Sequence, residues 1–117
     1  MFDIPYKIVE KEYGKEIWLI LNDKFCFKHI FINKGHRCSL QYHNFKSEAM
    51  YILSGKALFT IMENDELKEY ELKSGSIVDV PATTIHRMEA LEDLELVECS
   101  TPEVDDIVRL LDDYNRK

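Results

Sequence analysis

The chain has 117 residues, 45% of them apolar, and a formal net charge of −7 at pH 7. That length supports one domain, 1–117, with a core of its own and leaves no room for two. The acidic balance, without any run of Lys or Arg, argues against a nucleic-acid partner, whose phosphates need clustered cations. An anionic small molecule would need a locally basic pocket.

The N-terminal stretch MFDIPYKIVEKEYGKE lacks the basic-then-apolar order of a signal peptide. No apolar run approaches the ~20 residues of a membrane helix, so no membrane partner is expected. Strand-like runs rich in β-branched and aromatic residues then follow at 17–21, 25–32, 39–43, 48–53, 56–62, 68–72, 76–80, 86–90 and 94–100. Gly35, Gly55 and Gly75 fall twenty residues apart and punctuate this series like turns of a chain folded back and forth. Residues 63–66 (ENDE) read as a polar hairpin turn. Only the C-terminus changes period. Val104, Ile107, Val108 and Leu111 repeat at helical spacing behind Thr101 and Pro102, which predicts a short helix with an N-cap and a first-turn proline. Cys26, Cys38 and Cys99 show no CxxC spacing and read as reduced thiols of a cytoplasmic protein.

Two stretches carry chemistry. GHRCSLQYHNFKSEAMYILSG (35–55) holds Gln41, His43 and Glu48, and GSIVDVPATTIH (75–86) ends on His86. Side chains alternate along a strand, so Gln41 and His43 share a face, joined by Ser39 and Arg37 if the strand is unbroken. Tyr42, Lys46, Tyr51 and Arg87 alternate away from the ligand face, as packing or surface groups. A single strand histidine is more often a hydrogen-bonded polar residue than a ligand. The joint spacing is what counts. Donors at i and i+2, a carboxylate five further on, and a distant His after a proline turn can surround one divalent cation.

This pattern resembles the cupin superfamily. Its first motif, G-x5-H-x-H-x4-E-x6-G, is met by Gly35, Gln41, His43, Glu48 and Gly55, with Gln41 at the first His position. Its second, G-x5-P-x-G-x2-H-x3-N, is met by Gly75, Pro81 and His86, with Thr83 and Ala90 in place of Gly and Asn. Within cupins the chain is similar to the C-terminal isomerase part of bifunctional type II phosphomannose isomerase/mannose-1-phosphate guanylyltransferase. The family's RLSLQ-x-H is represented by residues 37–43, its HRxE by 86–89, and its DDIVRxxDxYGR by 105–116. Its HHHR becomes His43-Asn44-Phe45-Lys46, and its EHW becomes Glu48-Ala49-Met50.

The resemblance implies an all-β fold, a cupin double-stranded β-helix or conical β-barrel, closed here by the short C-terminal helix. It implies metal ligation by Gln41, His43, Glu48 and His86, which suits Zn²⁺, Mn²⁺, Fe²⁺, Co²⁺ or Ni²⁺. The implied activity is a metal-dependent sugar-phosphate isomerisation in carbohydrate or surface-polysaccharide precursor metabolism. Alternatives are a non-catalytic sugar-binding or regulatory cupin and a metal-free sugar-nucleotide epimerase. Lys28 is the candidate acid/base, a role that burial would assist by lowering its pKa. Arg37 is the candidate phosphate clamp. A sugar or sugar phosphate is the expected ligand, and pairing of strand edges into a homodimer is expected from the apolar runs at 17–21 and 25–32.

Overall fold

A computed structural model describes residues 7–114. The first six residues of the N-terminal stretch, and Asn115 and Arg116 of the C-terminal motif, lie outside the described residues. The elements are β1 (Lys7–Lys11), β2 (Gly14–Leu21), β3 (Cys26–Ile32), β4 (Leu40–Tyr42), β5 (Glu48–Ser54), β6 (Lys56–Glu63), β7 (Glu66–Lys73), β8 (Ile77–Val80), β9 (His86–Ala90), β10 (Leu94–Ser100) and β11 (Val108–Leu111). They form a six-stranded sheet in the order β1-β2-β3-β10-β5-β8 and a five-stranded sheet in the order β11-β4-β9-β6-β7. Every pairing is antiparallel. The expected all-β, two-sheet fold is therefore present.

Alternation along the central strands decides what faces the interior. β3 buries Cys26, Lys28, Ile30 and Ile32, while Phe27, His29 and Phe31 are less buried. β5 buries Glu48, Met50 and Ile52, and β10 buries Leu94, Leu96, Glu98 and Ser100. Register stacks like with like. Leu94 faces Ile32 across one ladder, and Glu98 faces Lys28 four residues further on. On the other side of β10, Leu96 faces Ile52 and Ser100 faces Glu48. The interior thus grades from an apolar end, where Ile32, Ile52, Ala57, Ala90, Leu94 and Leu96 are almost fully buried, to a polar end holding Lys28, Glu48, His86 and Glu98. The apolar end is the core. The polar end is where chemistry can happen.

The turns are built as the glycines predict. Gly55 joins β5 to β6 at φ +91°, and a Cβ there would stand 2.2 Å from the carbonyl oxygen of Asp93, so no larger residue fits. Thr83, at a position where the motif has glycine, adopts φ +70°. That backbone is costly for a β-branched residue, yet it lets the Thr83 N–H donate to the His43 carbonyl at 2.6 Å. The substitution therefore preserves the turn at the expense of strain.

The C-terminal segment departs from the helical expectation. Residues 101–107 form turns closed by short-range bonds such as Val104 N–H to Pro102 O at 2.8 Å, and Val108–Leu111 is strand β11. Four apolar residues at helical spacing also suit a chain that crosses another strand, and here the edge of β4 offers partners, pairing Val108 with Tyr42 and Arg109 with Gln41. Tertiary pairing overrides the local period. The three cysteines are free thiols.

Candidate metal centre

His43 stands just after β4, Glu48 opens β5 and His86 opens β9. Three strand ends from both sheets therefore bring these side chains together, with ligand atoms all within 4.8 Å of one another. Glu48 Oε1 lies 2.8 Å from His86 Nε2 and 3.5 Å from His43 Nε2. The three residues are only 3–5% exposed.

Their outer hydrogen bonds fix the chemistry. His43 Nδ1 donates to the main-chain carbonyl of Asp106 at 2.6 Å, and His86 Nδ1 donates to that of Thr84 at 2.8 Å. A carbonyl only accepts, so the proton of each neutral ring sits on Nδ1 and each Nε2 presents a lone pair. Those two lone pairs converge on a carboxylate oxygen, and the buried Nε2 of His43 makes no hydrogen bond. Three buried acceptors meeting at one point call for a positive charge between them, a proton or a metal ion. The donor set and its fixed tautomers fit one divalent transition-metal ion. Gln41 lines the same cavity. It pairs with His86 across β4 and β9, and its side-chain oxygen accepts from Ser39 Oγ at 2.7 Å.

Without an ion, a proton on the imidazoles answers the carboxylate in its place. Burial opposes ionisation of Glu48, but His43, His86 and Lys46 outweigh it and hold the carboxyl far below the usual range. Burial likewise disfavours charged His43, yet Glu48 and the Asp106 carbonyl raise its pKa above the ordinary value. Lys46 Nζ reaches Glu48 Oε2 at 3.3 Å and Glu98 Oε2 at 3.5 Å. Burial, and then the charge of Glu48, push Glu98 up to about 7.

The centre opens into a cavity of about 380 Å³, the size of a small-molecule site. Lys28 lines it. It is 6% exposed, its Nζ 3.3 Å from Glu16 and 4.2 Å from the centroid of the Trp18 ring. Arg109 of β11, beside Gln41, also faces this space. Arg37 does not join them. Its guanidinium binds Asp113 at 2.6 Å and approaches Glu89 at 3.5 Å on the opposite side of the sheet. The chain between Arg37 and Leu40 is not regular strand, so the alternation linking Arg37 to Gln41 breaks there. Arg87 faces away from the ligands, as alternation predicts, and donates to the carbonyls of Cys38 and Leu111.

Lys46, expected to point away from the ligands as a packing or surface group, instead lines the cavity and reaches Glu48, and Glu98, Glu16 and Arg109 are cavity residues that sequence reasoning did not single out. Lys46 lies in the turn between β4 and β5, where strand parity says nothing. Glu16, Glu98 and Arg109 belong to strands, but only the folded register shows which acidic or basic residue turns inward.

The model of the mannose-6-phosphate isomerase C-terminal family matches residues 5–113. The alginate biosynthesis protein AlgA of Pseudomonas aeruginosa is 30% identical over 113 residues, spanning 92% of this chain and 23% of its own length. Among solved structures, CapF in complex with 3-isopropenyl-tropolone superposes with a TM-score of 0.79 at 21% identity, over 94% of this chain and 36% of that one. The Lactobacillus farciminis oxalate decarboxylase formate complex gives 0.74 at 18% identity, over 89% and 33%. These two likenesses speak to fold alone. The chain spans about a quarter to a third of the length of these three proteins. With a two-sheet barrel, inward-facing His43, Glu48 and His86, and a family match over nearly its whole length, this chain is a cupin and belongs to the mannose-6-phosphate isomerase C-terminal family.

Proposed function

We propose that the chain binds a phosphorylated sugar and interconverts its aldose and ketose forms, in carbohydrate or surface-polysaccharide precursor metabolism. The observation that carries this reading is the buried His43–Glu48–His86 set in a cavity whose wall also bears Lys28, Lys46 and Arg109. Glu16, Glu48 and Glu98 share that wall and pair with Lys28 and Lys46, so the cavity of this protein of net charge −7 offers both acids and cations to a ligand. The family match over 5–113 points to the same sugar chemistry, and AlgA is by its name an alginate biosynthesis protein.

Gln41 is the proposed fourth metal donor. A bound Zn²⁺, Mn²⁺, Fe²⁺, Co²⁺ or Ni²⁺ would supply Lewis acidity toward the sugar oxygens. The protein groups would do the rest. Arg109 presents a planar guanidinium suited to a phosphate. Lys28 Nζ, held by Glu16 and the Trp18 face, holds a proton against a sugar oxygen. Glu98 Oε, across the ladder from Lys28, takes a proton from the carbon beside the carbonyl and returns it to the neighbouring carbon. Arg37, engaged with Asp113, has no part in this scheme.

The test is a panel of hexose and pentose phosphates offered to the metal-reconstituted chain, with ketose formation as the readout. At least one aldose phosphate should turn over, and a chelator should abolish the activity. Binding without turnover across the whole panel would instead establish a sugar-binding module. Ile8, Ile20 and Phe25, exposed at the β1–β2–β3 end of the larger sheet, support the expected homodimer, which sedimentation velocity tests.

A further inference from the structure

We infer that Asp106 is the positioning residue of the metal centre, acting on two ligands at once from sixty residues away in sequence. This rests on the reading of His43, Glu48 and His86 as metal ligands. The main-chain oxygen of Asp106 takes the Nδ1 proton of His43 at 2.6 Å. Its carboxylate accepts the backbone N–H groups of Asn44 at 3.0 Å, Phe45 at 2.6 Å and Lys46 at 3.0 Å. Those three amides form the turn that joins His43 to Glu48. One residue therefore fixes the orientation of an imidazole and the backbone span between that imidazole and the carboxylate. It touches no ligand-binding atom of the centre itself.

The carbonyl alone cannot do this. Residues 101–107 are turns without a strand partner of their own, and the carboxylate anchors this segment to residues 44–46. Replacing it with an amide would oppose an NH₂ group to at least one of these N–H donors whichever way the amide turns, because both carboxylate oxygens now accept. The ring of His43 would then lose its fixed aim, while every ligand atom remained present.

The experiment titrates the full-length apoprotein with Co²⁺, following the visible absorption of the bound ion and its affinity by competition with a chromophoric chelator. Asp106→Asn should weaken Co²⁺ binding by about 10–100-fold, the range for loss of an outer partner of a metal ligand, and should alter the absorption of the ion still bound. Asp113→Asn is the control. Asp113 latches the same C-terminal segment through Arg37 and Arg87 but contacts neither His43 nor the 44–46 turn, so this variant should keep wild-type affinity. Should Asp106→Asn not fold, Asp106→Glu retains the charge while displacing it, and the same weakening is expected. Wild-type affinity in the folded Asp106 variant would overturn the assignment. Equal weakening by the Asp113 variant would overturn it too, giving the effect to the segment as a whole. A wild-type protein that binds no Co²⁺ would remove the metal centre itself, an outcome distinct from either.

Discussion

Glu16 and Glu48 are the same side chain in the same barrel, 8% and 5% exposed, and they make opposite demands. Glu16 meets only donors: the Tyr13 hydroxyl at 2.6 Å, the Trp18 indole N–H at 3.0 Å and Lys28 Nζ at 3.3 Å. Its charge is answered and its lone pairs are engaged. Glu48 has one cationic donor, Lys46 on Oε2, while Oε1 faces two imidazole nitrogens whose rings carry their protons on the far side. Burial and charge alone would rank the two sites together. What separates an ion pair from an ion site is whether the partners around the carboxylate give protons or lack them.

The sharpest way to break this comparison is Glu48→Gln. It should reduce metal affinity by more than the ~100-fold typical of losing an outer partner. It should also abolish the metal-dependent rise in stability, which at a thousandfold excess over Kd is about 4 kcal/mol in the wild type. Metal analysis after dialysis and paired melting curves check both.

Glu16→Gln should do the reverse. Metal content stays at the wild-type level, but Lys28 is left buried without its counter-charge, and folding stability falls by about 3 kcal/mol, read from urea denaturation. The acid limb of the stability curve sharpens the point. Burial raises the pKa of Glu16, but Lys28 and Tyr13 outweigh it and set the folded value below normal. Its contribution is therefore complete above the unfolded value of ~4.3 and is lost as pH falls through the folded one. Glu16→Gln should flatten that slope.

The smallest effect lies near neutrality. His43 has a raised pKa in the folded apoprotein, so its contribution is complete below the unfolded value of ~6.5 and fades as pH climbs through the folded one. Metal must displace the same proton. Apoprotein stability should therefore drift down across this window while Co²⁺ affinity rises. Urea midpoints and chelator competition at matched pH values would show it. Parallel movement of the two would contradict the assignment.

Nine strands were legible in the sequence, most plainly the central ones, where inward apolar residues recur at every second position, as in the burial of Ile30 with Ile32 and of Leu94 with Leu96. β1 escaped because KIVEK is short and largely exposed, held as a strand by its hairpin partner β2 rather than by its own pattern. β11 escaped because Val104, Ile107, Val108 and Leu111 fit a helix as well as a crossing strand, and only the edge of β4 decides between them. The metal ligands were legible because the chemistry fixes both residue type and spacing. Arg37 misled because strand parity was carried through residues that are not strand. Lys46 misled in the same way, its parity counted through a turn, and Asp106 was invisible because only the fold brings its carbonyl and carboxylate to His43 and the 44–46 turn.

The reach from residue 106 back to residue 43 orders events during synthesis. A nascent chain released as far as Ser100 already contains every ligand, yet lacks the carbonyl that aims one of them and the strand that borders Gln41. Ion capture with native strength is thus postponed until residues 106–111 have emerged and docked against His43 and Gln41, so metal loading follows the folding of this segment rather than the synthesis of the ligands.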